Sequence, residues 1–414
     1  MGLFAGNGQA SALAHPPFRR FFAASLVSMP GNWMQITAQA WLVLTVHDSP
    51  MALAWMTTLQ FLPILLFTLM GGALADRLAR RPLMIATQLV GAAQTLALAL
   101  LVATGHFELW HLYGLAVILG FVNAIDGPLR QAMIADLVPR EALAHGMSLG
   151  ALSQNVGRVI GPGLAGLVIA WAGVPAAFAI NCVTYLVCAA LLTTIRMPVI
   201  AVPAGARVSL VRATRDGLRY AMTSHPVRFV LVATAFIGVF GQNFTTMIPL
   251  VATYLLDASP AEFGLLNSAL GGGSLCAILV LARSGAPTVR RILLSGLSFG
   301  VLLMIIAQSG EMWLSCALFA VVGASAVIFS TSVQTALQLV APPDLRGRVA
   351  AMVTFLIVGT SPIGALMTGG IAQNVSVSAA IATNGVLCVL GIAIALWIGA
   401  KQAVIFEPER VSAE

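Results

Sequence analysis

Apolar residues in this chain run in stretches of about twenty or more, broken by short segments bearing charge, proline or glycine. That is the length a helix needs to cross a bilayer. The runs predict spans near residues 20–46, 51–75, 82–104, 109–137, 145–171, 174–195, 226–256, 261–282, 288–308, 312–340, 347–372 and 377–399. The expected fold class is therefore an all-α membrane protein of twelve transmembrane helices in two six-helix halves. The domains expected are an N-terminal bundle over 1–196, a linker over 197–224, a C-terminal bundle over 225–400 and a tail over 401–414. Such a chain has no room for a separate soluble domain.

Charge gives the spans an orientation. Apart from Arg130 and Arg158, the basic residues occupy the N-terminus, the loops after spans two, four, six, eight and ten, and the C-terminus. The other five connections carry only acids: Asp48, Glu108, Asp257, Glu262 and Glu311. The positive-inside rule then places both termini in the cytoplasm, the expected setting being the inner membrane of a bacterium. Phe18-Arg19-Arg20-Phe21-Phe22 superficially matches a twin-arginine export signal, but eleven further spans follow it and no small-residue cleavage pattern does, so it reads as the inner flank of span one. In the linker, Arg212, Arg215 and Arg219 at i, i+3 and i+7 predict an amphipathic helix on the anionic leaflet, with membrane lipid as its partner.

Composition narrows the chemistry. The chain is 59% hydrophobic and 8% charged, against about 45–50% and about 25% in soluble domains. Its net charge of +7 sits between apolar runs, not on a soluble basic face, so no nucleic-acid partner is expected. Lys401 is the sole lysine, which removes a GxxxxGK[ST] phosphate loop and with it an ATP-driven cycle within this chain. Cys182, Cys188, Cys276, Cys316 and Cys388 lie in apolar runs without CxxC spacing and read as buried thiols. His106, Glu108 and His111 have the ligand types for a metal, but they share one short loop. No metal, cofactor or enzymatic constellation is expected.

Two patterns point to a transport path. Gln131-Ala-Met-Ile-Ala-Asp-Leu-Val-Pro139 aligns with Gln334-Thr-Ala-Leu-Gln-Leu-Val-Ala-Pro342, which suggests duplicated halves that rock about a shared hollow. Span one also carries Ser28, Asn32, Gln35 and Gln39 at i, i+4, i+7 and i+11, a polar stripe suited to lining a cavity or to bonding between helices. Gln242 and Asn243 in span seven, and Ser330, Thr331 and Gln334 in span ten, are candidates for the facing wall.

Two charges interrupt the first half. Asp126 and Arg158 lie symmetrically about the turn between spans four and five, at depths of about 16 and about 20 Å from the inner ends of their helices. An Asp126–Arg158 pair is expected, with Arg130, one turn from Asp126, as the competing partner. In the repeat alignment Asp126 meets Phe329 and Arg158 falls near Val358, so duplication alone does not call for these charges.

Specific motifs carry a family resemblance. Gly72-Ala-Leu-Ala-Asp76-Arg77-Leu-Ala-Arg80-Arg81 resembles the G-x-L-A-D-R-x-G-R-R loop of the major facilitator superfamily, with Ala79 in place of a glycine. Gly157-Arg-Val-Ile-Gly161-Pro162-Gly-Leu-Ala-Gly166 is similar to the G-x-x-x-G-P-x-x-G-G motif of its drug antiporters, with Ala165 departing. Gly31-Asn-Trp-Met-Gln35, Trp41, Asn123-Ala-Ile-Asp126-Gly-Pro128-Leu-Arg130-Gln131, Asp136-Leu-Val-Pro139, Asn155 and Arg158 resemble the enterobactin-exporter-like, or transmembrane secretion effector, branch. The family's span-four arginine would fall at Ala116, so proton coupling through that group does not carry over.

The resemblance implies a conformational latch in which Asp76 meets the start of span eleven near Arg346–Val349 and Arg80 pairs with Asp136. It further implies a monomeric secondary transporter exporting a small amphipathic molecule, drug or siderophore, in exchange for protons. The alternatives on the same scaffold are an importer of a small organic anion or sugar, and a lipid translocator.

Overall fold

The structure is a computed structural model describing residues 11–195, 223–285, 287–342 and 345–399; the side chains of 68–77, 225–226, 346–348, 351, 358 and 399 are likewise outside the description. The amphipathic linker helix expected at Arg212–Arg219 falls outside the described residues. All regular structure among the described residues is helical. Five helices come first: α1 (Pro16–His47), α2 (Pro50–Arg77), α3 (Arg80–Ala103), α4 (Leu109–Leu137) and α5 (Leu143–Thr193). α6 (His225–Phe236), α7 (Phe244–Leu250), α8 (Pro260–Leu281), α9 (Val289–Ile306), α10 (Met312–Val340), α11 (Arg346–Thr354), α12 (Ser361–Asn374) and α13 (Val377–Gly399) follow. π-helical turns at Ile237–Gly241, Val251–Leu255 and Phe355–Gly359 break up two of the predicted spans.

Among the described residues, ten helical segments are long and apolar enough to cross a membrane. α1 is not among them, although it has 32 residues, because Asn32, Gln35 and Gln39 dilute its apolar content. α5 is a single helical run of 51 residues, but Gly173 within it has φ 80°. Glycine takes this left-handed backbone without a Cβ penalty, and the chain reverses where the sequence predicted a gap between spans.

Exposed tryptophans mark the helix ends, as in a membrane-interface belt. Trp110 at the start of α4 is 63% exposed and Trp313 at the start of α10 is 77% exposed. These two stand at the spacing that aligns Gln131 with Gln334. A second repeated device caps the first hairpin of each half. Asp48 and Asp257 both adopt left-handed backbone, at φ 43° and 47°. In each case a serine follows, Ser49 or Ser259, whose hydroxyl accepts from the backbone N–H three residues on, and then Pro50 or Pro260 opens the next helix.

The described residues fall into two compact units: 11–195 with 248–271, and 223–247 with 272–399. In the first, α1 is clamped between the two parts of α5. A Cβ on Gly157 would stand 2.7 Å from the Met29 backbone, and one on Gly31 would meet Asn181 and Thr184. Small residues set this close approach. In the second unit α9 packs on α13 through Gly300 and Gly385, while Gly238 lies against the Leu356 carbonyl, so the π turns at 237–241 and 355–359 meet face to face. Four of the five cysteines are buried as expected; Cys276 is exposed on α8 and corrects that reading. His111 and Glu108 cap α4 together: the Glu108 N–H donates to His111 Nδ1 at 3.1 Å, and Trp110 donates to Glu108.

Candidate functional site

Asp126 and Arg130 are four residues apart on α4, which puts them on one face of the helix. Arg130 Nε donates to Asp126 Oδ2 at 2.5 Å, and both residues are buried. This corrects the expected Asp126–Arg158 pair: the partner one turn away reaches the carboxylate without spanning two helices. Two other helices complete the cluster. Arg130 donates its remaining guanidinium nitrogens to Ser25 Oγ at 3.0 Å and Ser28 Oγ at 3.3 Å on α1, and Asp126 Oδ1 accepts from Gln88 Nε2 at 2.9 Å on α3. A charge at the centre of a spanning helix costs about 2.5–3.5 kcal/mol on insertion scales. Here pairing and hydrogen bonding offset that cost for two of the three membrane-embedded charges. In the other half, Phe329 at the position matching Asp126 is fully buried.

The polar stripe of α1 divides by exposure. Gln35 is fully buried, donating to Gln94 Oε1 at 2.8 Å and accepting from Thr95 at 2.9 Å and Asn181 at 2.6 Å. Gln39 is fully buried one turn on, and neither of its amide atoms has a partner among the described residues. Gln35 ties α1 to α3 and α5, and neither it nor the buried Gln39 lines an open wall. Asn32 is half-buried and accepts from Tyr185 Oη. Thr87, Gln88, Gln94, Thr95, Asn181 and Tyr185 are site residues that the sequence reading missed. Their signal was present, since polar side chains in apolar spans seek one another.

Arg158 is the third embedded charge. Its guanidinium carbon lies 5.8 Å from the centroid of the half-buried Trp33 ring on α1, within cation–π range. No carboxylate pairs with it among the described residues. Fifteen residues separate it from Leu143 and fifteen from Gly173, about 22 Å each way, so it sits at the middle of its span.

The glycines around it serve α8. The Pro162 carbonyl and Gly166 Cα lie 2.8 and 3.0 Å from where a Cβ on Gly264 would stand, and Ser268 Oγ donates to the Val159 carbonyl at 3.1 Å. Gly157 and Gly161 face α1 instead. Nearby, Trp41 stacks on Phe263 at 5.5 Å and Tyr254 Oη donates to Asp48 Oδ1 at 2.7 Å.

At the arginine-bearing ends, Arg80 Nη1 donates to Asp136 Oδ1 at 2.6 Å. Arg81 donates to the Leu192 carbonyl at 2.9 Å and also to that of Thr193; Arg20 reaches Thr194 at 2.7 Å. Cations thus cap the last turn of α5. Gly72, Asp76 and Arg77 carry side chains outside the description. Asn123 is half-buried and Gln334 exposed. In the second unit Gln242 is half-buried, while Asn243 is 1% exposed, donates to the Val239 carbonyl at 2.5 Å, and leaves its Oδ1 without a partner among the described residues.

Comparison with known proteins finds this architecture elsewhere. Residues 7–404 match the transmembrane secretion effector family. The staphyloferrin A transporter of Staphylococcus aureus is 25% identical over 290 residues, covering 69% of this chain and 72% of its own. The multidrug efflux pump Tap of Mycolicibacterium fortuitum is 26% identical over 371 residues, covering 86% and 89%. A crystal structure of the nucleoside transporter NupG superposes with a TM-score of 0.70 at 13% identity, covering 95% of this chain and all of that one, and shares the fold.

Proposed function

The chain belongs to the transmembrane secretion effector family of the major facilitator superfamily, and from that premise we propose that it is a secondary active exporter. It moves a small amphipathic molecule of the drug or siderophore class out of a bacterial cell by alternating access, in exchange for protons. The relatives named for staphyloferrin A and for multidrug efflux support the substrate class. Counting α1 as a crossing and dividing α5 at Gly173 supports twelve spans in two halves, and the arginine distribution supports the inner membrane with both termini cytoplasmic.

The observation that carries the reading is the polar face of α5. Gln154 is exposed and Asn155 and Arg158 are half-buried, whereas Pro162 and Ala165 further along the same face are buried. A helix face accessible towards the arginine-bearing side and closed beyond mid-span is what one state of an alternating carrier requires. The Asp126–Arg130 pair is the proton-handling group in this reading: a rearrangement that parts the two leaves a carboxylate ready to bind a proton. In this reading Arg80–Asp136, with the pairing of Asp76 to the start of α11 that the family resemblance implies, is the latch, and it biases the cycle only if it forms in one state and not in the other.

The unpaired Arg158 favours a second reading, import of a small organic anion. Everted membrane vesicles with an acid lumen separate the two. Addition of an export substrate makes the lumen more alkaline as protons leave, and Asp126→Asn abolishes that change. An import substrate loaded into the lumen, driving flux outward to the medium, reverses the assignment, and unchanged coupled transport by Asp126→Asn removes that residue from the coupling.

A further inference from the structure

α5 has two open faces, and they differ in kind. Its neighbours occupy opposite sides, α1 at Gly157 and Gly161 and α8 at Val159, Gly163 and Gly166. One face left between them carries Ile160, Leu164 and Leu167, exposed by 47%, 43% and 63%, and is apolar as a lipid contact must be. At about 100° per residue, Gln154, Asn155 and Arg158 cluster on the opposite side. A guanidinium there is held at mid-span by the Trp33 ring and has no counter-ion among the described residues. Asp126, the embedded acid of this unit among the described residues, is already paired with Arg130. Among the described residues, the membrane-embedded part of the first unit therefore keeps one uncompensated positive charge beside a flat aromatic surface. Embedded charges of this kind face a wet interior and mark the path of a ligand.

We infer that Arg158 and Trp33 form an anion subsite, so that the exported molecule carries a carboxylate next to a planar apolar body. This rests on the exporter reading and narrows it: the guanidinium offers a fork of N–H donors to the carboxylate, and Trp33 offers its face to the apolar part. Arg158 is a binding residue here and takes no part in proton handling.

The test is equilibrium binding to the full-length protein in phosphatidylcholine nanodiscs at pH 7, with empty nanodiscs subtracted. The probes are 2-naphthoate, its neutral counterpart 2-naphthamide and the cationic 2-naphthylmethylamine. Naphthoate is expected to bind at least tenfold more tightly than either of the others. Arg158→Gln is expected to bring naphthoate and naphthamide level, Arg158→Lys to keep a preference for the anion, and Trp33→Leu to weaken both. Monodispersity and an unchanged melting temperature establish that each variant is folded, and the lysine variant serves if the glutamine one is not. Preference for the amine, equal binding of acid and amide by the wild type, absence of naphthoate binding, or an anion preference that survives Arg158→Gln each overturns the proposal. Vesicle flux is read separately. Anion binding without export rejects the exporter reading and leaves the subsite standing, whereas export of neutral or cationic compounds without anion binding does the reverse.

Discussion

The contact between α5 and α8 yields a prediction with a geometric scale. A Cβ built on Gly163 stands 3.9 Å from Ser268 Cβ, inside the roughly 3.5–4.5 Å that a disulfide needs. Gly163→Cys with Ser268→Cys, in a background whose five native cysteines are replaced, is therefore expected to oxidise spontaneously. The bond closes a loop of 105 residues (268 minus 163), for which chain entropy gives about 4.7 kcal/mol of stabilisation. A protease site introduced in the 197–224 linker makes the readout direct, because the two fragments stay joined on a non-reducing gel only when the bond has formed. If α5 and α8 must part during each cycle, oxidation lowers vesicle transport more than tenfold and reductant restores it. The lipid-facing pair Leu164→Cys with Leu265→Cys, at positions 43% and 40% exposed, is the control. Cross-linking no faster than in that control refutes the packing, and full transport by the cross-linked protein refutes the requirement for separation.

Three further outcomes follow from the same geometry. Asp126→Leu strands a buried guanidinium and is expected to cost about 3–5 kcal/mol, whereas Arg130→Met leaves a carboxyl group that can bind a proton and costs less. The double variant should recover most of the loss, and chemical denaturation in detergent that ranks the double variant lowest contradicts the pairing. Asp76→Asn is expected to abolish export while expression and melting temperature hold; wild-type flux from a well-expressed variant would disprove the latch. Gly364→Ala would place a methyl group 1.8 Å from the Val239 carbonyl and 1.9 Å from Asn243 Nδ2, so about 1–3 kcal/mol of overpacking cost is expected, visible as a lower melting temperature, and an unchanged one would show that the helices separate freely there.

Hydrophobic run length made most of the helices legible. The predicted spans 109–137, 312–340 and 377–399 coincide with α4, α10 and α13, because apolar length and a charged or proline-bearing stop both act locally. The π turns were not legible. They depend on the fit of Gly238 against Leu356, a contact between distant segments. The Asp126–Arg158 pair failed for a similar reason: depth along two helices is readable from spacing, but the rotation of each helix about its own axis is not. Arg130 met Asp126 because i, i+4 neighbours share both depth and rotation. Likewise the stripe on α1 was visible, yet only the positions of Thr95 and Asn181 decide that Gln35 is interior.

The facing π turns have a mechanical consequence. Each wider ring holds one residue beyond the regular count, and taking that surplus up into regular helix turns everything past it by about 100° and advances it by about 1.5 Å. Gly238 and Leu356 seat two such rings against each other, so a change of register in one alters the surface offered to the other. Asn243, two residues past the first π turn, would turn with the segment beyond it.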